Sequence, residues 1–479
     1  MNLKLMLHIL GGLLMSLAMT MFFPVMVSGY YQDGLIDIFL QSIVITIVLG
    51  AVLYFGFRGR EELTHREGFG IVAFGWLIIA VMGALPFYLS GVVPSFLDSY
   101  FESMSGFTTT GSTIISSLQS VPPSLLFWRA LIQWLGGMGI IVLSVAILPF
   151  LGVGGVQLFQ AEVPGPTKER LTPKIQETAK SLWGVYFLLT ILQIVLLMLG
   201  GVGFFDAITH SFTTLATGGF SNYDQSVAFF QSSYVHWIFI LFMFLAGINF
   251  TLHYHLLIKG RIRYFGNEEF RYYLLIFLLT ILAIVGINYT PSADLWITIR
   301  DASFQVVSLG TSTGFATVNY LLWAPLVQFG LIILMVIGGC AGSTGGGAKV
   351  VRLLITLKHS VNQLFLLVHP KGVRPLSMGR RIVPVGVVQR VLGYFSIYSG
   401  IFFIASLILI AQGMDMISAF SATIACLSNI GPGLGVVGPT ETFAPLTDTA
   451  KIVLAFCMLA GRLEIFTIFV LFLPSFWKK

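Results

Sequence analysis

Four short stretches of this chain set hydroxyl or amide side chains beside a glycine: Thr109-Thr110-Gly111, Thr217-Gly218-Gly219, Ser312-Thr313-Gly314 and Asn429-Ile430-Gly431. The expected chemistry is the binding of a dehydrated cation; the alternative is four extracellular turns that happen to be rich in Ser, Thr and Gly. Glycine lets the backbone adopt conformations closed to other residues, and carbonyls aimed at one axis from several segments can replace an ion's hydration shell. The stretches are copies of one unit. Asp98, Asp206 and Asp301 each stand thirteen residues before their glycine, and Ser418 does so in the fourth copy. All four are good helix N-caps. Small residues follow them: Ser99, Ala207, Ala302 and Ala419. Ser103, Ser211 and Thr423 share a further register, from which Val306 departs. A repeat held in fixed register sets the architecture of the chain.

Composition fixes the solvent around these units. The 479 residues are 56% hydrophobic and 10% charged, against about 25% charged in a soluble protein. This is a polytopic membrane protein. The net charge of +6 is no nucleic-acid signal, because the basic residues fall in short segments between apolar runs. Cys340, Cys426 and Cys457 lie far apart in apolar stretches and have neither metal-ligand spacing nor the pattern of a disulfide framework. The apolar N-terminus precedes no small-residue cleavage site and is expected to be a retained helix.

A crossing needs roughly 20 apolar residues. Ten are expected, at 3–29, 36–57, 69–92, 124–150, 181–202, 234–258, 270–288, 322–358, 391–412 and 446–473. The connections rich in Lys and Arg (Arg58, Arg60 and Arg66; Lys168 to Lys180; Lys259 to Arg271; Lys358 to Arg390) all fall on one face. The four glycine stretches fall on the other, near which only Arg129, Arg300 and Lys451 belong. The positive-inside rule puts both termini in the cytoplasm and the four stretches outside.

Each unit starts inside, crosses, dips back as a re-entrant loop and crosses again. An even number of crossings makes the units parallel, so they can surround one axis normal to the membrane, unlike inverted repeats. The expected fold is all-α. About ten transmembrane helices carry four re-entrant pore loops, as four parallel span–loop–span repeats around one pseudo-fourfold pore. The divisions are an N-terminal transmembrane hairpin (1–66) and pore repeats at 67–160, 161–265, 266–370 and 371–479. In each loop the capped helix of two to three turns points the negative end of its dipole toward the bilayer centre, which favours a cation.

The run 322–358 is too long for one crossing and is broken at Gly338-Gly339-Cys340-Ala341-Gly342-Ser343-Thr344-Gly345-Gly346-Gly347. Six glycines in ten residues cannot hold a helix, at about 1 kcal/mol each relative to Ala. A nucleotide P-loop is excluded, since the run ends Gly347-Ala348-Lys349-Val350 and no strand precedes it. Either these glycines let helices pack closely, or they form a loop below the filter that obstructs the pore. Arg462 lies about sixteen residues into the last span, ~24 Å down a helix. It either snorkels or pairs locally, or it faces the pore and meets carbonyls of the glycine loop. Glu464 does not share its helix face. Arg129 is a candidate brace for the first loop helix through Asp98 or Glu102. His253 and His255, at a helix end, read as interfacial polarity.

The sequence resembles the TrkH/KtrB superfamily of potassium transporters, the TrkH branch most closely, over nearly its whole length. The resemblance rests on the four glycine stretches and on Trp128-Arg129 followed by Gln133-Trp134-Leu135-Gly136-Gly137-Met138-Gly139. The Gly338–Gly347 run and Gly461-Arg462-Leu463-Glu464 complete it. It implies bacterial inner-membrane potassium uptake, K+ held at the filter residues, a homodimer, and a cytosolic nucleotide-binding regulatory ring of the TrkA type. The single glycine per copy departs from the threonine-valine-glycine-tyrosine-glycine loop of tetrameric potassium channels and implies fewer ion sites. A gated pore is the first functional expectation. Symport with protons or sodium is the alternative and needs a titratable group in the pathway. A membrane enzyme would need a metal or nucleophile cluster within the spans, which the sequence does not offer. No organic cofactor is expected. The basic cytoplasmic segments fit either the ring or anionic lipid.

Overall fold

Apolar runs fold here as helices, and polar or glycine-rich breaks end them. The computed structural model describes residues 2–57, 65–146, 171–291, 294–379 and 381–477. Arg58, Arg60, Lys168 and Arg170, and the division at 160, lie outside them. The described chain is helical apart from a two-stranded antiparallel ribbon, β1 (Ser377–Met378) and β2 (Arg381–Ile382), with Ser377 opposite Ile382. Among the described residues eight helices are long and apolar enough to cross a membrane, or ten if each of two bent pairs is one span.

The N-terminal helices α1 (Leu3–Thr20) and α2 (Phe22–Tyr31) form one apolar run that packs back on α3 (Ile36–Gly56). Gly11 makes the close approach: a Cβ there would stand 2.6 Å from the Gly50 carbonyl. The turn between them is not merely polar. Asp33 accepts N–H bonds from Leu35 at 3.3 Å and from Ser124 at 3.0 Å, so it ties the hairpin to the start of a later helix.

The remaining helices in chain order are α4 (His65–Gly83), α5 (Leu85–Leu89), α6 (Phe96–Phe107), α7 (Pro123–Ala146), α8 (Leu171–Leu199), α9 (Phe204–Leu215), α10 (Ser233–Ala246) and α11 (Phe250–Leu257). They continue as α12 (Glu268–Asn288), α13 (Leu295–Gly310), α14 (Pro325–Ile337), α15 (Val350–Val368), α16 (Val385–Ala411), α17 (Met416–Leu427), α18 (Asp448–Arg462) and the short α19 (Phe466–Phe469) and α20 (Pro474–Trp477). Short helices α6, α9, α13 and α17 precede the four glycine stretches. Each closing helix packs on the short helix of the next copy: α7 on α9, α10 on α13, α14 on α17, and α18 back on α6.

The expected caps are corrected. Asp98, Asp206 and Ser418 stand in the first turns of their helices, whose N-caps are Ser95, Gly203 and Asp415. Asp301 lies inside α13, which begins after the cap Asp294. Two to three turns was therefore too short, because a second good cap stood upstream and the intervening residues continue the helix. Three of the four side chains are bound to chain elsewhere. Asp98 meets Lys451 at 2.6 Å, Asp206 accepts from Asn222 and Tyr223 at 2.8 Å, and the Ser418 hydroxyl accepts from Val436 N–H at 3.0 Å. Asp301 pairs with its neighbour Arg300 at 2.8 Å.

The 322–358 run is not one crossing. Residues 338–349 separate α14 from α15, which is long and apolar enough to cross alone. Two further spans bend sharply, by 105° between α10 and α11 and by 108° after Arg462.

Candidate cation filter and the loop beneath it

The four short helices end in the same way. In the first, the N–H of Thr110 bonds to Ser105 O at 2.8 Å and that of Thr109 to Gly106 O at 2.9 Å. The counterparts at Gly218 and Thr217, Thr313 and Ser312, and Ile430 and Asn429 repeat both bonds. This is the double bond set of a Schellman end, which normally wants glycine in the left-handed position. Here Thr109, Thr217, Ser312 and Asn429 occupy it, with φ of 52°, 53°, 62° and 53°. Such a conformation costs an L-residue roughly 1–2 kcal/mol, and strain repeated at four equivalent positions marks a site held by its surroundings. The glycine two residues on also has positive φ in every copy, from 72° at Gly219 to 99° at Gly431.

The copies meet in a closed ring. A Cβ on Gly111 would lie 2.1 Å from Gly218 O, on Gly219 1.9 Å from Thr313 O, on Gly314 1.9 Å from Ile430 O, and on Gly431 2.8 Å from Thr110 O. All four glycines line one cavity of about 100 Å³, walled otherwise by residues that follow them. Departures from the hydroxyl pattern have local causes. In the second copy Gln133 fills the space where a Gly218 side chain would stand, donates to Gly218 O at 2.8 Å and accepts from Phe220 N–H at 3.1 Å. In the fourth, the Asn429 amide donates to Thr110 Oγ1 at 3.0 Å and to Met458 O at 2.8 Å.

Segment 338–349 closes the opposite side, against residues before the glycines. Thr344 Oγ1 donates to Leu215 O, the last carbonyl of α9, at 2.9 Å. Gly346 N–H donates to Ser312 Oγ. A Cβ on Gly346 would stand 2.0 Å from Ser428 O, and one on Gly345 2.8 Å from Thr311 O. The loop thus covers the carbonyl ends of α9, α13 and α17, where helix dipoles favour positive charge. Arg462 supplies it. Buried at 2% exposure, it donates from Nη1 to Thr344 O at 2.8 Å and from Nη2 to Gly136 O at 3.0 Å. The expected contact between Arg462 and the glycine loop is present.

Three charges of this region escaped the sequence reading. Lys349 donates from Nζ to Gly345 O, and Arg352 pairs with Glu464 while its guanidinium sits 4.1 Å from the Tyr394 ring centroid. Glu269 accepts from Ala341 N–H at 2.7 Å and from Val351 N–H at 3.2 Å, so one carboxylate holds both ends of the loop. All are buried. The signal for the basic pair was Lys349-Val350-Val351-Arg352 directly after the glycine run; Glu269, beside Glu268 in a first helical turn, looked like an ordinary dipole partner.

Of the two acids considered for Arg129, the structure selects Glu102, at 2.8 Å. The histidine expectation is corrected. His253 and His255 are buried, His253 between Tyr264 Oη at 2.8 Å and Leu245 O at 2.9 Å, because the bend before α11 folds that helix inward. Outside the membrane-facing helices, hydrogen bonds from Ser418 hold the Asp415 cap carboxyl below its usual range.

Residues 36–479 match the TrkH family, described as a cation transport protein. The chain is 41% identical over 491 residues to the Trk system potassium uptake protein TrkH of Halomonas elongata, covering 100% of both. It is 42% identical over 478 residues to the protein of that name from Escherichia coli K12, covering 98% of this chain and 99% of that one. The crystal structure of the potassium transporter TrkH from Vibrio parahaemolyticus superposes with a TM-score of 0.92 at 40% identity over 100% of each chain. With a family model matched over most of its length and relatives above 40% identical from end to end, the chain belongs to the TrkH family.

Proposed function

We propose that this chain takes up potassium across the bacterial inner membrane through a gated, single-chain pore. The observation that carries this is the ring of four glycine segments, each abutting a carbonyl of the next. It supports four re-entrant loops around a pseudo-fourfold axis, with K+ as the substrate. Carbonyls of Thr109 to Gly111, Thr217 to Gly219, Ser312 to Gly314 and Asn429 to Gly431 face the ion. The repeats at 67–160, 161–265, 266–370 and 371–479 follow, with the hairpin 1–66 at the side and both termini cytoplasmic. Names of the relatives, Trk system potassium uptake proteins, point the same way.

The gate in this reading is the loop carrying Gly338, Gly339, Gly342, Ser343, Thr344, Gly345, Gly346 and Gly347, fastened by Arg462. A cation leaving the filter meets the loop's backbone and a guanidinium that keeps its proton. Symport is the less favoured reading, because Glu464 is paired with Arg352 and Glu269 is occupied by two backbone N–H groups. The basic segments 168–180, 259–271 and 358–390, of which Lys259 to Arg263 is exposed, are the docking surface offered to a nucleotide-controlled cytosolic ring of the TrkA type, and the chain works as a homodimer.

Current recorded across liposomes holding the purified chain, with a potassium gradient alone, tests the function. Steady current without a proton or sodium gradient is expected; strict dependence on a co-ion would replace the pore by a symporter. Repeating the recording with the ring added tests the partner, since an unchanged current would remove it. Sedimentation of the purified chain as a monomer would remove the dimer.

A further inference from the structure

The limb of chain beyond each of these glycines returns past the preceding short helix, and a buried side chain of that helix reaches across to it. Nine residues before the glycine stand Glu102, His210, Gln305 and, in the fourth copy, Ala422. The first three are fully buried. Glu102 accepts from Ile114 N–H at 2.9 Å and from the Thr113 hydroxyl at 3.0 Å. His210 Nδ1 lies 2.9 Å from Asp206 O, a group that only accepts, so Nδ1 carries the proton and Nε2 accepts from the Ser221 hydroxyl at 3.0 Å. Gln305, with its amide oxygen toward the limb, accepts from Thr317 N–H at 3.0 Å and Val318 N–H at 3.3 Å. Ala422 cannot reach. Its neighbour Ser421 instead donates to Leu434 O at 3.0 Å and accepts from Leu434 N–H at 2.9 Å.

A carboxylate, an imidazole and an amide at one register thus each bond the limb, through backbone N–H groups in the first and third copies and the Ser221 hydroxyl in the second, and a hydroxyl does so from the preceding position in the fourth. Packing alone would not ask for polar groups there, because burying one without a partner costs free energy. The first copy adds charge. Arg129 bonds Glu102, donates from Nη1 to Ser221 O of the second limb at 3.0 Å, and lies 4.0 Å from the Phe220 ring centroid. One ion pair therefore locks two adjacent limbs.

We propose that Glu102 with Arg129, His210, Gln305 and Ser421 are positioning residues that fix the distance of the filter carbonyls from the axis and thereby set the preference for potassium over sodium. The proposal rests on the reading that these segments select potassium. Carbonyls on a free backbone could close on a smaller ion; a limb tied from behind cannot follow it, which is what supporting contacts do for any binding constellation.

The test is the bi-ionic reversal potential of the full chain in liposomes, with potassium on one side and sodium on the other. Glu102→Gln is expected to lower the potassium-to-sodium permeability ratio about tenfold, the scale of one lost charged hydrogen bond. Glu102→Asp should recover part of it. Because Glu102→Gln leaves Arg129 buried and unpaired, Thr113→Val and Gln305→Met, which keep every charge paired, are measured beside it and should each lower the ratio by roughly threefold or more. A wild-type ratio retained in both of these variants overturns the proposal while leaving the transport reading intact. A wild-type chain with no potassium preference overturns that reading, and this proposal with it.

Discussion

At each glycine of the proposed filter a hydrogen atom is all that separates two copies, and the clearance is unequal. A side chain at Gly314 would start 1.9 Å from Ile430 O, whereas one at Gly431 would start 2.8 Å from Thr110 O. Both positions also have positive φ, which adds roughly 1–2 kcal/mol for any L-residue. Gly314→Ser must therefore push a carbonyl out of line, and should lower potassium-over-sodium preference by at least about tenfold while the chain still reaches the membrane. Gly431→Ser should have the smallest effect of the four glycine substitutions. Reversal potentials for the four variants check the order; equal wild-type ratios throughout would remove the filter assignment.

The glycine loop is an element with no secondary structure of its own, so its position is set by what grips it, in its middle at Thr344 and Gly346 and at its two ends. Glu269 grips both, through Ala341 and Val351. In Glu269→Gln the side-chain oxygen still accepts, but neutral acceptors bind about half as strongly as charged ones. The loop should then open more often without unfolding. Cys340, buried at 1% exposure inside this segment, reports it. In a Cys426→Ala, Cys457→Ala background, maleimide labelling of Cys340 should accelerate about tenfold in Glu269→Gln, as expected for about 1.4 kcal/mol. An unchanged rate would show that the ends of the loop are held by something else.

For the molecule as a whole, ring closure brings distant parts of the chain together. α18 packs on α6, and Arg462 near the C-terminus bonds carbonyls of both Thr344 and Gly136. In the proposed gate its guanidinium stands beside the ion path, where a like charge within roughly one side-chain length adds on the order of 2 kcal/mol of barrier at an effective dielectric of about 20. Arg462→Ala should raise flux into liposomes by roughly tenfold or more. Shortening the 338–347 loop should do so too. If the contact forms one barrier, the double variant gains less than the product of the two. Fully multiplicative gains would separate the barriers, and unchanged flux in both single variants would rule out this gate.

The sequence by itself determined the solvent, the repeat and the materials of the site. Apolar runs cannot dissolve in water, a fixed register needs no neighbours to be seen, and a glycine-rich break in an apolar run cannot be helical whatever surrounds it. Helix starts were misread at Asp98, Asp206, Asp301 and Ser418 because several residues in each segment can cap, and which one does depends on what else binds it: Asp98 belongs to Lys451 and Asp206 to Tyr223. Tertiary structure alone decided the partners. That Glu102 and not Asp98 meets Arg129, that Glu464 turns to Arg352 after the bend at Arg462, and that Glu269 reaches Ala341, 72 residues on, are outcomes of how helices pack. Buried charges select their partners by proximity in the folded ring, and that proximity is written in no local stretch of the chain.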